Sequence, residues 1–251
     1  MNRILGDDSF SNLLHTPFSK LQETPTATQQ QEESFIVYDF GSTSIRPTEI
    51  LTLDSRIDEE SRIIFNTYTA ILQQVFTHDM EHPDINPLQM SKSCYDFSLL
   101  IAQLSRIWEI ELNNSIVQIV RLINGIEMPQ YYQRVKMDQN GRAKDIIVND
   151  IHLNKWTCEN RLKPQTMGTI GMLLKMFRTP ISDYLNISPD KFSTFCKKIE
   201  IITTYRNKAS HTSVLEENDF HDFYETFCFL IREKWLTVLM HGKERMRTTA
   251  V

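Results

Sequence analysis

The chain has 251 residues, a net charge of −5 and 41% hydrophobic residues, enough apolar material for one large folded domain or two small ones. Only 7 glycines and 9 prolines argue against a sandwich or barrel of many tight turns; the Leu-, Ile-, Glu-, Lys-, Gln- and Met-rich middle and end favour helices. No segment nears the ~20 apolar residues of a membrane span, the start MNRILGDDSFSN lacks a signal-length apolar run, and Cys94, Cys158, Cys196 and Cys228 have no metal-ligand spacing and read as reduced thiols, so a soluble, cytoplasmic protein with no membrane partner is expected.

The charge is uneven. Residues 1–90 hold 5 Lys or Arg against 14 Asp or Glu, and residues 91–251 hold 22 against 18. The later part suits a polyanionic partner, or it is simply an ordinary solvated surface.

Residues 1–34 contain the polar run QETPTATQQQEE and read as a flexible, acidic arm. Within the arm, Phe10, Leu13, Leu14 and Phe18 suit one short docking helix. Residues 35–57 begin with the β-like FIVYDF and read as an extended segment, either an edge strand or an arm. A helical domain is expected over 58–240. Asp58 is placed to cap its first helix, which runs to about His78 with Ile63, Ile64, Tyr68, Ile71, Leu72 and Val75 at 3–4 spacing. HPDINP breaks it.

A second helix opens at Ser91 or Ser93 and carries apolar residues from Phe97 through Leu104, Trp108 and Leu112 to Ile123. Its thirty-odd residues suggest the central strut of a bundle. Residues 125–165 read as an insertion with a small β-hairpin at Asn140-Gly141. The insertion is basic, with Arg134, Lys136, Arg142, Lys144, Lys155, Arg161 and Lys163, and Tyr131, Tyr132 and Trp156 are placed either to stack on bases or to pack in a core.

TMGTIGMLLKMF predicts a third helix, ended or kinked by Pro180. Ser188-Pro189 marks the start of a fourth, with Phe192, Phe195, Ile199 and Ile202 on one face. The last helix starts near Glu216–Asp219 and continues to about Met240, leaving 241–251 as a basic tail. The whole reads as a mainly α bundle of four to five helices.

The fourth helix runs into Tyr205–His211, YRNKASH. Histidine gives and takes protons near neutral pH. Arginine stays charged and grips phosphate with two prongs. Arg206 and His211 therefore suffice in kind for RNA cleavage, with Asn207 orienting the histidine or donating to a phosphate oxygen. Five residues of helix turn by roughly 500° and leave two side chains about 140° apart. The pair converges only if the helix ends or distorts near Ser210, if Arg206 reaches round, or if a second copy of the chain supplies the other half. The competing reading is plain: Arg and His near a helix C-terminus suit its dipole. Lys197, Lys198 and Lys208, with Lys191, either track an RNA backbone or form a solvated face. His78 and His82 have metal-pair spacing without an evident third ligand.

With Arg206-Asn207-Lys208-Ala209-Ser210-His211, the apolar helix before it and FHDFYETFCFLI after it, residues 58–240 resemble the HEPN superfamily of helical domains. WEIELNNSIVQIVR resembles the family's earlier long helix, which often bears an acidic residue near the site; Glu109 or Glu111 matches that position loosely. The resemblance implies a bundle that forms a homodimer with two motifs facing one cleft. It implies metal-independent cleavage of RNA by 2′-hydroxyl attack, with no cofactor. Arg206 and His211 would be catalytic and Asn207 supporting. It further implies a toxin or antiviral defence effector restrained by an inhibitor or antitoxin protein. The alternative is a non-catalytic member that binds RNA or a protein partner in a larger assembly. A third class, a scaffold for protein contacts alone, needs neither Arg206 nor His211. The acidic N-terminal arm is expected to shield the basic cleft.

Overall fold

A computed structural model describes residues 33–39, 46–81, 96–124, 147–148, 151–153, 164–211 and 214–249. The expected N-terminal arm, the turn at Asn140-Gly141, His82 and the insertion's basic and aromatic residues lie outside these.

The fold is mainly helical. Strand β1 (Glu33–Asp39) pairs antiparallel with β2 (Arg46–Leu53), with Phe35 opposite Leu51 and Val37 opposite Glu49. The expected edge strand is thus a hairpin, and alternation explains how it attaches: Phe35, Val37, Leu51 and Leu53 point one way and are buried. Phe35 lies 5.4 Å from Phe65 and 5.8 Å from Phe227 between ring centroids.

Helix α1 spans Glu59–Glu81. Asp58 caps it, accepting the Glu60 N–H at 3.0 Å. Its buried stripe is Ser61, Phe65 and Tyr68, while the expected core residue Ile63 is exposed. Helix α2 (Ser98–Asn113) and α3 (Ile116–Ile123) replace the single long strut. The break is chemical. Buried Asn113 donates to the Glu109 and Gln165 carbonyls and accepts the Gln165 N–H at 2.8 Å, and the Ser115 hydroxyl donates to the Glu111 carbonyl at 2.5 Å. Such side chains offer the backbone partners other than the helix. The two-residue strands β3 (Ile147–Val148) and β4 (Ile151–His152) pair antiparallel, and buried Arg121 of α3 donates to the carbonyl of Leu153 just beyond them.

Helix α4 (Met167–Met176) is capped by Thr166, and α5 (Arg178–Leu185) follows at once. Pro180 sits in the first turn of α5, where its missing N–H costs no helical hydrogen bond, so it starts a helix instead of ending one. Helix α6 (Pro189–Ser210) begins as expected, with the Ser188 hydroxyl accepting the Lys191 N–H and Pro189 in the first turn.

The expected last helix is two, α7 (Glu217–Arg232) and α8 (Trp235–Thr249), separated by Lys234 at φ 58°. The segment after Met240 is therefore helix and packs inward. A methyl group added at Gly242 would meet Leu185 Cδ2 at 2.7 Å, so glycine is what lets α8 approach α5.

An aromatic chain through the core fixes α6. Phe195 stacks on Trp235 at 4.2 Å and meets Trp108 edge-on at 6.4 Å, and Trp108 in turn meets Phe227 at 6.3 Å. Such pairs add about 0.5–1.5 kcal/mol each beyond their burial. Three helices, α2, α7 and α8, are thereby locked around the one that carries the motif.

Candidate functional site

Helix α6 ends where the motif requires. Arg206, Asn207 and Lys208 occupy its final turns, and Ser210 is its last residue. His211 is the C-cap in extended backbone, φ −102° and ψ 167°, and its N–H donates to the Lys208 carbonyl at 3.2 Å. The Ser210 hydroxyl donates back to the Arg206 carbonyl at 2.9 Å. One of the three conditions for bringing Arg206 and His211 together, a helix end at Ser210, is met.

The side chains differ in how they are held. Arg206 is half-buried, and its Nη2 donates to Glu109 Oε2 of α2 at 3.3 Å. That uses one of the five N–H donors of a guanidinium. Asn207 and His211 are exposed. Lys208 Nζ lies 3.3 Å from Asp219 Oδ1 of α7 and 4.9 Å above the Tyr205 ring. The Tyr205 hydroxyl donates to Asp222 Oδ2 at 3.3 Å. Burial first, and then the neighbouring Asp222 carboxylate, pushes the Tyr205 phenol above its ordinary value.

Lysines further back along α6 are separate. Lys197 is exposed, and Lys198 Nζ sits 5.0 Å over the Phe229 ring. Lys191 belongs to the far end of the helix, ~22 Å from Arg206 along the axis, where it pairs with Glu233 at 3.7 Å. Of the two candidate acidic residues, only Glu109 reaches the motif. Glu111 is fully buried on the opposite side of α2, where it pairs with Lys243 of α8 at 2.6 Å and accepts the Asp58 N–H at 2.7 Å.

The chain at Leu215, at the approach to α7, is anchored as well. Asp96 accepts hydrogen bonds from the Ser98 hydroxyl at 2.5 Å, the Ser98 N–H at 3.0 Å and the Leu215 N–H at 3.2 Å. These bonds hold its carboxyl below the ordinary range. The Phe97 N–H donates to the Leu215 carbonyl at 3.0 Å. The start of α2 therefore holds the chain four residues beyond His211.

Asp96, Tyr205, Asp219 and Asp222 are the participants that sequence reasoning missed. A usable signal existed. Carboxylates that open a helix directly after a short connection fall beside the end of the preceding helix when the two pack together.

Chemically the arrangement offers a guanidinium on a single long contact, an exposed imidazole one residue past the helix, and amide and ammonium donors beside them. Among the described residues no group of three His, Cys, Asp or Glu could hold a metal ion, and no helix is long and apolar enough to cross a membrane. Compared with protein-family models, with curated proteins and with solved structures, the chain matches none.

Proposed function

We propose that the chain is a cytoplasmic, HEPN-type endoribonuclease that cuts RNA by 2′-hydroxyl attack, without a metal ion, in a cleft shared by two copies. The observation that carries this reading is the end of α6: Arg206 sits in the last turns, half-buried and held by Glu109, and His211 is exposed at the cap. The imidazole takes the 2′-hydroxyl proton, O2′ attacks phosphorus, and the bond to O5′ breaks. The leaving oxygen takes a proton from imidazolium, from the same residue or its copy in the second chain. The products are a cyclic phosphate and a 5′-hydroxyl. Arg206 turns its donors to the phosphate, where negative charge grows, and Asn207 steadies either the phosphate or the imidazole.

The Arg206–Glu109 contact supports this role because it is weak enough to yield. Partly exposed ion pairs contribute about 0.2–1 kcal/mol, whereas a phosphate offers the guanidinium two parallel, charge-assisted bonds. A toxin or antiviral effector held in check by an inhibitor protein follows from the same resemblance.

One observation favours a second reading. Arg206, Lys208 and Tyr205 each meet a carboxylate, from Glu109, Asp219 and Asp222. A motif neutralised in this way suits a non-catalytic module that binds RNA or a protein partner.

Labelled RNA incubated with purified protein in EDTA separates the two. Cleavage that disappears in His211→Ala supports the nuclease. Binding without cutting supports the module.

A further inference from the structure

A groove of about 840 Å³ lies between α6, α7 and the β1–β2 hairpin, within the usual range for a ligand site. Of the motif only Lys208 lines it, beside Tyr205; Arg206, Asn207 and His211 are not among its lining residues, so the groove adjoins the motif and does not contain it. Its walls carry two kinds of chemistry. Lys198 contributes an ammonium that has no ion pair among the described residues and rests on Phe229. Asp222 and Glu225 of α7 contribute carboxylates. Among the described residues Asp222 accepts a 3.3 Å bond from Tyr205, and Glu225 faces His221 at 3.9 Å. The remaining charges are committed. Arg232 is bound at 2.6 Å to Glu49, and Glu200 at 2.9 Å to Lys175.

An amphoteric groove of this kind disfavours a bare polyphosphate, which the carboxylates repel. A purely cationic peptide pairs with the carboxylates but leaves Lys198 without an anion. It fits a nucleotide, whose phosphate is an acceptor and whose base edge donates. Resting on the nuclease reading for the chemistry next door, we propose that this groove receives the nucleotide flanking the cut and selects its base through Asp222 and Glu225. Lys198 and Lys208 lie ten residues apart on α6, ~15 Å along its axis, too far to share one phosphate, so the bound strand follows the helix past the groove. The carboxylates accept from the exocyclic amino groups of adenine, cytosine or guanine. Uracil has no amino group, and its one edge donor, N3–H, lies between two carbonyl oxygens that face the carboxylate unfavourably. RNA bases are read on such edges when a strand is splayed out. The groove therefore disfavours uracil beside the scissile phosphate.

The test uses the full chain and short RNA oligonucleotides identical except for the nucleotide on either side of the cut. Cleavage is read by kcat/KM, and binding is read by fluorescence anisotropy in the His211→Ala background. Wild-type protein is expected to disfavour uracil by about tenfold, the size of one well-made base contact. The Asp222→Asn, Glu225→Gln double variant is expected to lose most of that preference, because each amide can also donate to a uracil carbonyl. Melting curves matching wild type show that the variant is folded, as the exposure of both residues leads one to expect. Cleavage that needs His211 but shows the same base preference in the double variant overturns the groove assignment and leaves the nuclease standing. Absence of cleavage with base-selective binding lost in the double variant overturns the nuclease and leaves the groove a nucleotide site. A groove that binds an oligolysine peptide and no oligonucleotide overturns the assignment in favour of a protein partner.

Discussion

Glu109 and Glu111 stand two residues apart in one helix and share a side-chain chemistry, yet they belong to different regions. Glu111 is fully buried, 2.6 Å from the Lys243 ammonium, and joins α2 to α8 and to the start of α1. Glu109 is a quarter exposed and touches Arg206 once, at 3.3 Å. Burial decides what each pair is for. A desolvated pair tolerates no vacancy, because the charge left behind has no water. A half-wet pair is exchangeable, and a guanidinium held exchangeably is what a phosphate-binding site needs.

The sharpest way to break that contrast is in the core. Lys243→Ala strands the Glu111 carboxylate and is expected to lower unfolding free energy by about 3–5 kcal/mol in denaturant titrations; a loss below ~1 kcal/mol would mean that water reaches the pair. At the motif the expected effect is on rate instead. His211→Ala should reduce RNA cleavage by about 10²–10⁴-fold, and Arg206→Ala by about 10²–10³-fold. Both should leave the melting temperature close to wild type. Arg206→Lys separates the prongs from the charge: a bidentate role predicts little recovery.

Smaller still is Glu109→Gln, expected to cost less than ~1 kcal/mol of stability. Glu111→Gln should exceed it clearly, and equal effects would erase the distinction between the two glutamates.

The smallest effect concerns acid. The Asp96 carboxyl is held below its ordinary value by the Ser98 hydroxyl and by the N–H groups of Ser98 and Leu215. A depressed folded-state pKa contributes stability that is present above the unfolded value of about 3.9 and lost as pH falls through the folded value. Asp96→Asn should therefore flatten the acid limb of unfolding below about pH 4 and lower neutral stability by the small amount that the wild type loses along that limb. An unchanged acid limb would show that the clamp on the chain at Leu215 carries no linked proton.

Much of the architecture was legible. The start of α6 followed from Ser188-Pro189, its buried face from Phe192, Phe195, Ile199 and Ile202, and the start of α1 from Asp58. The misread boundaries share one cause. Asn114–Ser115, Pro180 and Lys234 interrupt or begin helices without interrupting the apolar pattern. Hydrophobic spacing reports which face is buried, not whether the helix is continuous across it. Asn113-Asn114-Ser115 did carry a warning, since three residues that bond backbone in other conformations stood together. Lys234 carried none, because nothing marks a lysine for φ 58° in advance.

By itself the sequence determined the helical class, the caps of several helices, and a motif with arginine and histidine five positions apart. These are local properties: each is set by residues within about a turn of one another. Only the tertiary structure decided that Glu109 and not Glu111 meets Arg206, that Asp219 and Asp222 crowd the end of α6, and that the residues after Met240 belong to the core. Those outcomes depend on the rotation of each helix about its axis. That rotation is set by aromatic contacts such as Trp108, Phe195 and Trp235 between segments far apart in the chain, and no spacing within a single helix contains it.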